Sequence, residues 1–185
     1  MMPDSFRSPE NIDSEENIGE YLRSLRKQDI QSVILNSKGS SEYDAKAGIL
    51  LLEMPAARIF KLRTESGEVQ RLHCYAVQVN PYEMVKAHYH EKGAEIYGVP
   101  ADTSVIGARM YFGTFNADGR IDWEGQDIKP GESFTVSERQ PHSLFNKAPE
   151  PLLFVVACDP THVAKGTGAI KEDRVFTESV PEQGR

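Results

Sequence analysis

Over residues 85–97 the chain reads Val85-Lys86-Ala87-His88-Tyr89-His90-Glu91-Lys92-Gly93-Ala94-Glu95-Ile96-Tyr97, with two histidines and a glutamate close together. In a β-strand, side chains two positions apart point to the same face, so His88 and His90 would present their imidazoles side by side. Gly93 favours a turn, and an antiparallel return would bring the Glu95 carboxylate beside the two rings. This pattern predicts a metal site on two neighbouring strands.

A second block of sequence adds another histidine. It reads Pro130-Gly131-Glu132-Ser133-Phe134-Thr135-Val136-Ser137-Glu138-Arg139-Gln140-Pro141-His142-Ser143-Leu144-Phe145-Asn146, so a Pro-Gly turn, a strand and a second turn lead to His142. A His-x-His pair alone is weak evidence for a metal site, because two surface histidines reach that spacing by chance. The second block strengthens the prediction because it supplies a further ligand of the same kind.

Together the two blocks resemble the cupin superfamily, whose motifs run G-x5-H-x-H-x3,4-E-x6-G and G-x5-P-x-G-x2-H-x3-N. The matched positions are His88, His90 and Glu95 in the first motif and Gly131, His142 and Asn146 in the second. The resemblance covers roughly residues 72–160. It implies an all-β fold, the cupin-type double-stranded β-helix or jelly-roll barrel. It also implies that the metal ligands are His88, His90, Glu95 and His142.

The chain departs from both motifs at turn positions. Tyr82 and Asp102 stand where the first motif opens and closes with Gly. In the second motif, Ser137 and Arg139 replace the Pro and the second Gly. The departures therefore concern turn geometry and leave the ligand positions intact.

The implied ligand set suits one divalent transition metal, namely Fe, Mn, Ni, Co or Zn. Three neutral imidazoles and one carboxylate leave open positions on a five- or six-coordinate ion, where a substrate, water or dioxygen can bind. Affinities for such sites follow the Irving–Williams order, so the ligand set does not name the physiological metal. Our preferred interpretation is iron or manganese.

Outside the two blocks, the sequence predicts one N-terminal α-helix followed by short strands. A helix is expected over residues 14–28, with Asp13 and Glu16 as a capping pair. Segments rich in β-branched and aromatic residues predict strands over 49–53, 58–63, 73–79, 109–115, 133–136 and 152–158. Frequent Gly and Pro between them, without alternating helices, disfavour a parallel α/β fold. We expect a leader and helix over residues 1–45, a cupin β-barrel over 46–162 and a C-terminal arm over 163–185.

Composition excludes several classes of function. The 185 residues carry 21 Lys and Arg against 28 Asp and Glu, a formal net charge of -7, which disfavours binding to nucleic acid. The longest apolar run, residues 152–158, is far shorter than the about 20 residues that span a bilayer. Residues 1–17 lack the pattern of a signal peptide, so we expect a cytoplasmic protein with no membrane partner. Cys74 and Cys158 are interpreted as small buried hydrophobic residues.

Strand alternation suggests which side chains line a pocket beside the metal. If His88 and His90 face inward, Lys86 shares their face, and Tyr97 shares the face of Glu95. On the strand over residues 109–115, either Arg109 and Tyr111 or Met110 and Phe112 face inward. An interior arginine would suit a carboxylate or phosphate, so the first alternative is slightly preferred. The candidate catalytic residues are therefore Tyr97, Arg109 and Tyr111, with Glu138 as a further proton carrier.

Two other histidines are placed outside the site. His73 lies in an apolar strand and is interpreted as a hydrogen-bonded core residue. His162 follows the last predicted strand and is interpreted as a loop residue, with a place at the pocket rim as the alternative.

Two functions remain open. The first is a mononuclear metal enzyme that transforms a small polar metabolite by oxygenase, isomerase or lyase chemistry. The second is a non-catalytic binding or sensing protein with a structural metal. The ligand set does not choose the reaction, because one fold and one metal site support many chemistries. We expect a small-molecule substrate and a homodimer.

Overall fold

The structure is a computed structural model that describes residues 12–36, 43–44, 49–55, 57–104, 107–163 and 173–181. The helices are α1 (Glu15–Ser24) and α2 (Lys27–Asn36), and a 3-10 helix spans Pro160–His162. The strands are β1 (Tyr43–Asp44), β2 (Ile49–Glu53), β3 (Phe60–Arg63), β4 (Val69–Val79), β5 (His88–His90), β6 (Glu95–Gly98), β7 (Ala108–Phe115), β8 (Ile121–Asp127), β9 (Ser133–Val136), β10 (His142–Asn146), β11 (Leu152–Cys158) and β12 (Arg174–Phe176). The predicted leader up to residue 11 and the predicted chain end at 182–185 lie outside the described residues.

Two antiparallel sheets pack face to face. The larger has seven strands in the order β1-β2-β4-β11-β6-β9, with β3 paired to β4. The smaller has five strands in the order β12-β5-β10-β7-β8. The strands predicted over Ile49–Glu53, Ser133–Val136 and Leu152–Cys158 have the predicted bounds. The mostly-β architecture expected from the two motifs is therefore confirmed, as two packed antiparallel sheets.

The prediction of a single N-terminal helix is wrong, because two helices stand there. Helix α1 begins after Ser14, whose side chain accepts a hydrogen bond from Asn17 N at 3.2 Å, and it ends at Leu25, which is extended. At the start of α2, the Lys27 N–H donates to Asp102 Oδ1 at 2.9 Å. Asp102 lies on a distant loop, so the cap that starts the second helix is invisible to local sequence analysis.

The larger sheet is buried on both faces, and strand β11 shows the pattern best. Leu152, Phe154, Val156 and Cys158 face the smaller sheet, and the intervening Leu153, Val155 and Ala157 face the helices. Helix α1 approaches β6 at Gly98 so closely that a Cβ atom there would collide with Leu22. The apolar run that forms β11 is explained by this two-sided burial.

The smaller sheet is covered on its outer face by the segment that follows β12. Val180 packs there with Ala87 and Tyr111 in a small apolar cluster. Strand β12 extends the sheet by pairing with β5, with Arg174 opposite His90 and Phe176 opposite His88. The C-terminal residues therefore form an edge of the sheet that carries the two histidines.

Two of the positions where the motifs expect glycine have a positive φ in this chain. Tyr82 has φ 59° and Arg139 has φ 58°, in the left-handed region that glycine favours. Both residues occupy motif positions where Gly was expected. These two of the four departures are therefore non-glycine residues held in a strained backbone conformation.

Asn146, the last residue of the second motif, ties the end of β10 to the backbone around it. Its buried side-chain amide donates hydrogen bonds to the carbonyls of Val79, Asn80 and Glu150, and its oxygen accepts one from Ala148 N. The side chain satisfies buried backbone groups and has no free donor to offer a ligand.

None of the described helices is long and apolar enough to cross a membrane.

Candidate metal centre

Three strands bring the four predicted ligands together inside the barrel. His88 and His90 stand on β5, Glu95 opens β6, and His142 opens β10 directly opposite His88 in the sheet register. All four side chains are buried. The ring centroids of His88 and His142 lie 4.4 Å apart. The β5–turn–β6 geometry predicted from Gly93, whose φ is +75°, is therefore present.

A fifth buried residue joins this cluster. The imidazole of His162, from the 3-10 helix after β11, is stacked on His90 with ring centroids 3.9 Å apart. Its Nδ1 lies 3.5 Å from Glu95 Oε1. We call His88, His90, Glu95, His142 and His162 the histidine cluster.

Each imidazole of the cluster is fixed by a hydrogen bond on the nitrogen that faces away from the centre. The Nδ1 atoms of His88 and His142 contact the carbonyls of Lys86 and Gln140 at 2.6 and 3.0 Å. His90 Nδ1 contacts Asp173 Oδ1 at 2.8 Å. His162 is held the other way round, with Nε2 2.7 Å from Lys92 O. Carbonyls and carboxylates only accept, so these nitrogens carry the protons.

The opposite nitrogens of His90, His142 and His162 face Glu95. His142 Nε2 lies 3.0 Å from Glu95 Oε2, and His90 Nε2 lies 3.4 Å from Oε1. Among the described residues, His142 Nε2 and His162 Nδ1 are buried nitrogens with no hydrogen-bond partner. Buried lone pairs next to a carboxylate are unfavourable unless a cation lies between them.

The electrostatics of the cluster match this arrangement. Burial and the neighbouring imidazoles hold the pKa of His88 well below its usual value, and burial also lowers the pKa of His90. Burial alone would raise the pKa of Glu95, but His90, His142 and His162 together hold that pKa well below its usual value. The pKa of His162 is instead raised, because Glu95 and Asp173 outweigh the effect of its burial. His88 and His90 are therefore the imidazoles that burial keeps neutral beside the carboxylate, and a metal ion requires neutral imidazole ligands.

A narrow cavity opens beside the histidine cluster. Its volume is about 30 Å³, room for one or two water-sized molecules. The cluster forms its polar end together with Tyr97 and Arg174, and its walls are Ile49, Leu51, Val77, Val85, Met110, Leu144, Phe154 and Val156. A ligand that enters therefore meets polar groups only at the cluster end.

Tyr97 is the one candidate catalytic residue that the structure places in this cavity. Its hydroxyl donates to Glu95 Oε2 at 2.8 Å, and its ring stacks on Phe134 with centroids 5.0 Å apart. Burial and the Glu95 charge hold the pKa of Tyr97 well above its usual value, so the phenol keeps its proton. Tyr97 can therefore orient the Glu95 carboxylate.

The other predicted pocket residues lie elsewhere. Arg109 and Tyr111 point to the outer face of the smaller sheet, where the Arg109 guanidinium donates to Gly125 O at 3.0 Å. The inward residues of β7 are Met110 and Phe112, so the preferred alternative of the sequence analysis is corrected. Lys86 is also exposed. It lies before the start of β5, so the alternation that turns His88 and His90 inward does not extend to it.

Glu138 and His73 also lie away from the cavity. Glu138 Oε2 accepts a hydrogen bond from Gly93 N at 3.2 Å and so braces the turn between β5 and β6. His73 is partly exposed and pairs with Glu53 at 2.7 Å. The sequence analysis is therefore correct that His73 is hydrogen-bonded and outside the site, but wrong that it is a core residue.

Sequence analysis interpreted His162 as a loop residue, with the pocket rim as the alternative, and it missed Asp173 and Arg174 altogether; the structure places His162 in the cavity lining. The 3-10 helix that presents His162 has a visible signal, since Asp159 caps it at Thr161 N with a 2.9 Å bond and Pro160 begins it. Asp173 and Arg174 carry no such signal, because they reach the cavity only through the pairing of β12 with β5. The interior arginine expected at position 109 is supplied at position 174.

Comparisons with known proteins give fold-level likenesses. No family model matches the chain, and no curated protein sequence matches it. Among solved structures, the oxalate decarboxylase of Lactobacillus farciminis in a formate complex aligns with 68% of this chain and 32% of its own at 18% identity, with a TM-score of 0.39. A Bacillus subtilis oxalate decarboxylase described as having Mn(II) centres aligns with 63% of this chain and 26% of its own at 20% identity, with a TM-score of 0.39.

A vicilin from Solanum melongena is also similar, over 46% of this chain and 23% of its own at 11% identity, with a TM-score of 0.39. The chain thus spans less than a third of the length of each of these proteins. At these identities and TM-scores the likenesses carry no argument about activity. The functional argument rests on the geometry of the histidine cluster.

Proposed function

We propose that this chain is a metal-dependent enzyme that acts on a small molecule inside the barrel, with His88, His90, Glu95 and His142 holding one divalent transition metal. The observation that carries the proposal is the set of inward-facing imidazole lone pairs around a buried carboxylate. The buried nitrogen of His142, 3.0 Å from Glu95 and without a hydrogen-bond partner, fits a cation placed between them. A bound metal would supply a Lewis acid with an open position for a ligand.

Hydrogen bonds within the protein fix the orientation of the imidazoles and of the Glu95 carboxylate before any metal binds. The carbonyls of Lys86 and Gln140 and the carboxylate of Asp173 fix the orientations of three imidazoles. Tyr97 holds its proton at the hydroxyl oxygen and directs it at Glu95 Oε2, so one carboxylate oxygen is tied while the other faces His90 and His162. The apolar walls keep bulk water away from the polar end.

An enzyme fits better than a protein with a structural metal, because apolar packing holds the sheets together. One apolar cluster fills the space between the sheets, and a second lies beneath the helices. The histidine cluster opens to a cavity, whereas structural metal sites are closed. We therefore expect the fold to persist when the metal is removed.

Elemental analysis of protein purified without chelators tests the proposal first. We expect about one equivalent of a divalent transition metal per chain, with chelation leaving the melting temperature nearly unchanged. Loss of the fold on chelation would favour the structural-metal alternative. Absence of any bound metal, including after addition of Fe(II) or Mn(II), would refute the proposal.

The ligand assignment is tested by replacing two histidines at once. In the variant with His88→Ala and His142→Ala, we expect metal content below about a tenth of wild type and an unchanged far-ultraviolet spectrum. Replacement of the exposed Lys86 by Ala is the matched control, since it changes a neighbour of His88 that lies outside the cavity. Full metal retention by the double variant would refute the assignment.

The class of reaction is open to a direct assay. Oxygen uptake that depends on a catechol, a thiol or a keto acid would identify an oxygenase. One equivalent of metal without oxygen uptake would direct the search to isomerase or lyase chemistry. The homodimer expected from the sequence is tested separately by gel filtration, where a monomer mass would refute it.

A further inference from the structure

We infer that the ligand of the candidate metal centre is a small carboxylate anion, and that Arg174 binds it at the polar end of the cavity. The inference rests on the proposed function, because it requires a metal beside His88, His90, Glu95 and His142. It goes beyond that proposal by naming a class of ligand and a residue that recognises it. Arg174 is the first residue of β12 and lies outside both cupin motifs.

Strand pairing turns the Arg174 side chain toward the cavity. Arg174 lies opposite His90 in the pairing of β12 with β5, and Phe176 lies opposite His88. Residues that face each other on neighbouring strands point to the same side of a sheet, so Arg174 shares the inward face of the two histidines. It lines the cavity accordingly, and among the described residues of that lining it is the only lysine or arginine.

Protein contacts orient the Arg174 guanidinium. It donates to the His162 carbonyl at 3.2 Å and lies over the Phe176 ring, 5.8 Å from the ring centroid. A guanidinium carries five N–H donors in a planar fork. Arg174 can therefore keep its contacts with the protein and also donate hydrogen bonds to a ligand in the cavity.

The charge of Arg174 is unfavourable for the metal alone, because like charges repel. After burial and the neighbouring imidazoles, this charge is a further cause that holds the pKa of His88 low. At Tyr97 it opposes the rise in pKa that burial and Glu95 cause. The field of Arg174 therefore reaches the metal ligands. An anion between the metal and the guanidinium would be attracted by both, which explains why a cation stands at this end of the cavity.

The size of the cavity selects among anions. Its volume of about 30 Å³ suits a ligand of about two or three heavy atoms. Guanidinium groups bind carboxylates and phosphates through paired N–H donors, but a phosphate is too large for this space. The small carboxylate formate fits, and the apolar walls offer no other polar groups that would hold a longer polar ligand.

Titration of formate into the Co(II)-loaded protein tests the inference, with the visible absorption spectrum of Co(II) as the readout. We expect formate to change the spectrum of the wild-type protein. In Arg174→Gln, formate affinity should fall at least about tenfold, because a charge-assisted hydrogen bond is lost. Co(II) affinity should stay the same or rise in this variant, because a positive charge near the metal is removed.

The matched control is Lys86→Gln, which removes a positive charge from an exposed side chain outside the cavity lining. Its formate affinity should stay within about twofold of wild type, because solvent screens an exposed charge. Arg174→Lys keeps the charge but lacks the planar fork, so formate affinity should fall at least about threefold. Affinity for azide, a linear anion without a carboxylate group, should stay within about twofold. Arg174→Lys also serves if Arg174→Gln does not fold.

Two results would overturn the inference and leave the proposed function standing. One is a wild-type Co(II) spectrum that formate does not change. The other is equal formate affinity in the wild type and Arg174→Gln, and a fall in Co(II) affinity alone would then show that Arg174 only supports the fold around the metal. If the wild-type protein binds no Co(II), the proposed function itself fails and the inference fails with it.

Discussion

The N-terminal helices and the C-terminal strand both pack on the barrel, but on different sheets and with different side chains. Helix α1 covers the outer face of the larger sheet through Ile18 and Leu22, which are fully buried among apolar residues. Strand β12 joins the edge of the smaller sheet and brings Asp173 and Arg174 to the histidine cluster. One extension stabilises the fold, and the other completes the site.

This difference follows from the residues that each extension carries. The helices offer an apolar stripe, so they gain free energy by removing the larger sheet from water. The C-terminal segment carries Asp173 just before β12 and Arg174 as its first residue. Pairing with β5 places Arg174 opposite His90 and brings Asp173 within 2.8 Å of the His90 ring. Changes in the helices should therefore affect stability alone, and changes near β12 should affect metal binding alone.

The largest expected effect is in the helices. Leu22→Ala removes a fully buried side chain from the contact between α1 and β6 and should lower the free energy of unfolding by about 2–4 kcal/mol. Metal affinity should stay within about twofold of wild type. Urea unfolding and metal titration measure the two quantities. Glu20→Ala, on the exposed side of the same helix, should change neither, and a loss of metal affinity in Leu22→Ala would contradict the comparison.

The second effect lies on the other extension. Asp173→Asn keeps the shape of the side chain but weakens its contact with His90 Nδ1, so metal affinity should fall about 10–100-fold. The melting temperature of the metal-free protein should change little. Isothermal titration with Mn(II) and thermal unfolding in chelator check both parts. Unchanged affinity would show that β12 covers the site without tuning it.

A third test uses pH and Cys74, which lies beneath the helices. Burial raises the pKa of the Cys74 thiol to about 12, from a usual value of 9.0. The folded pKa is the higher one, so this contribution to stability is complete below pH 9 and is lost as the pH rises toward 12. Between pH 9 and pH 10 the free energy of unfolding should fall by ~1 kcal/mol from this group.

Urea unfolding at both pH values measures the loss, and Cys74→Ala is the control because it removes the titrating group. The variant should show a smaller decrease over the same pH interval. Equal decreases in both proteins would mean that the helices leave Cys74 accessible to water, which would contradict their assigned role.

The smallest effect is expected outside both extensions, at Arg139. Its φ of 58° costs a non-glycine residue about 1–2 kcal/mol in the folded protein. Glycine removes this strain, but part of the gain is lost because glycine makes the unfolded chain more flexible. Arg139→Gly should therefore raise the free energy of unfolding by about 0.5–1 kcal/mol, with metal affinity unchanged. The exposed contact of Arg139 with Glu91 at 3.7 Å contributes little.

The control for Arg139→Gly is Arg120→Gly, at an exposed position without a positive φ, where glycine should destabilise the protein by about 0.5–1 kcal/mol. Thermal and urea unfolding of both variants give the comparison. A loss of stability in both would show that the turn at residue 139 is not strained.

The predictable part of the site is the part that local spacing controls. His88 and His90 share a face because they are two residues apart, and Glu95 returns beside them because Gly93 turns the chain. His142 required a second motif, since nothing in the spacing alone shows that β10 pairs with β5. The sequence of β7 alone does not show whether Arg109 or Met110 faces the cavity, because a strand alternates in the same way whichever set of side chains points inward.

The sequence by itself determined the short-strand architecture and the buried cysteines, because these depend on alternation, turn residues and spacing within short segments. The resemblance to the cupin motifs added the four expected ligand positions. Tertiary structure decided the rest. The start of the second helix depends on Asp102. The positions of His162 and Asp173 depend on packing against Glu95 and on the pairing of β12 with β5. Contacts between distant segments are set by how the sheets pack, and no local pattern encodes them.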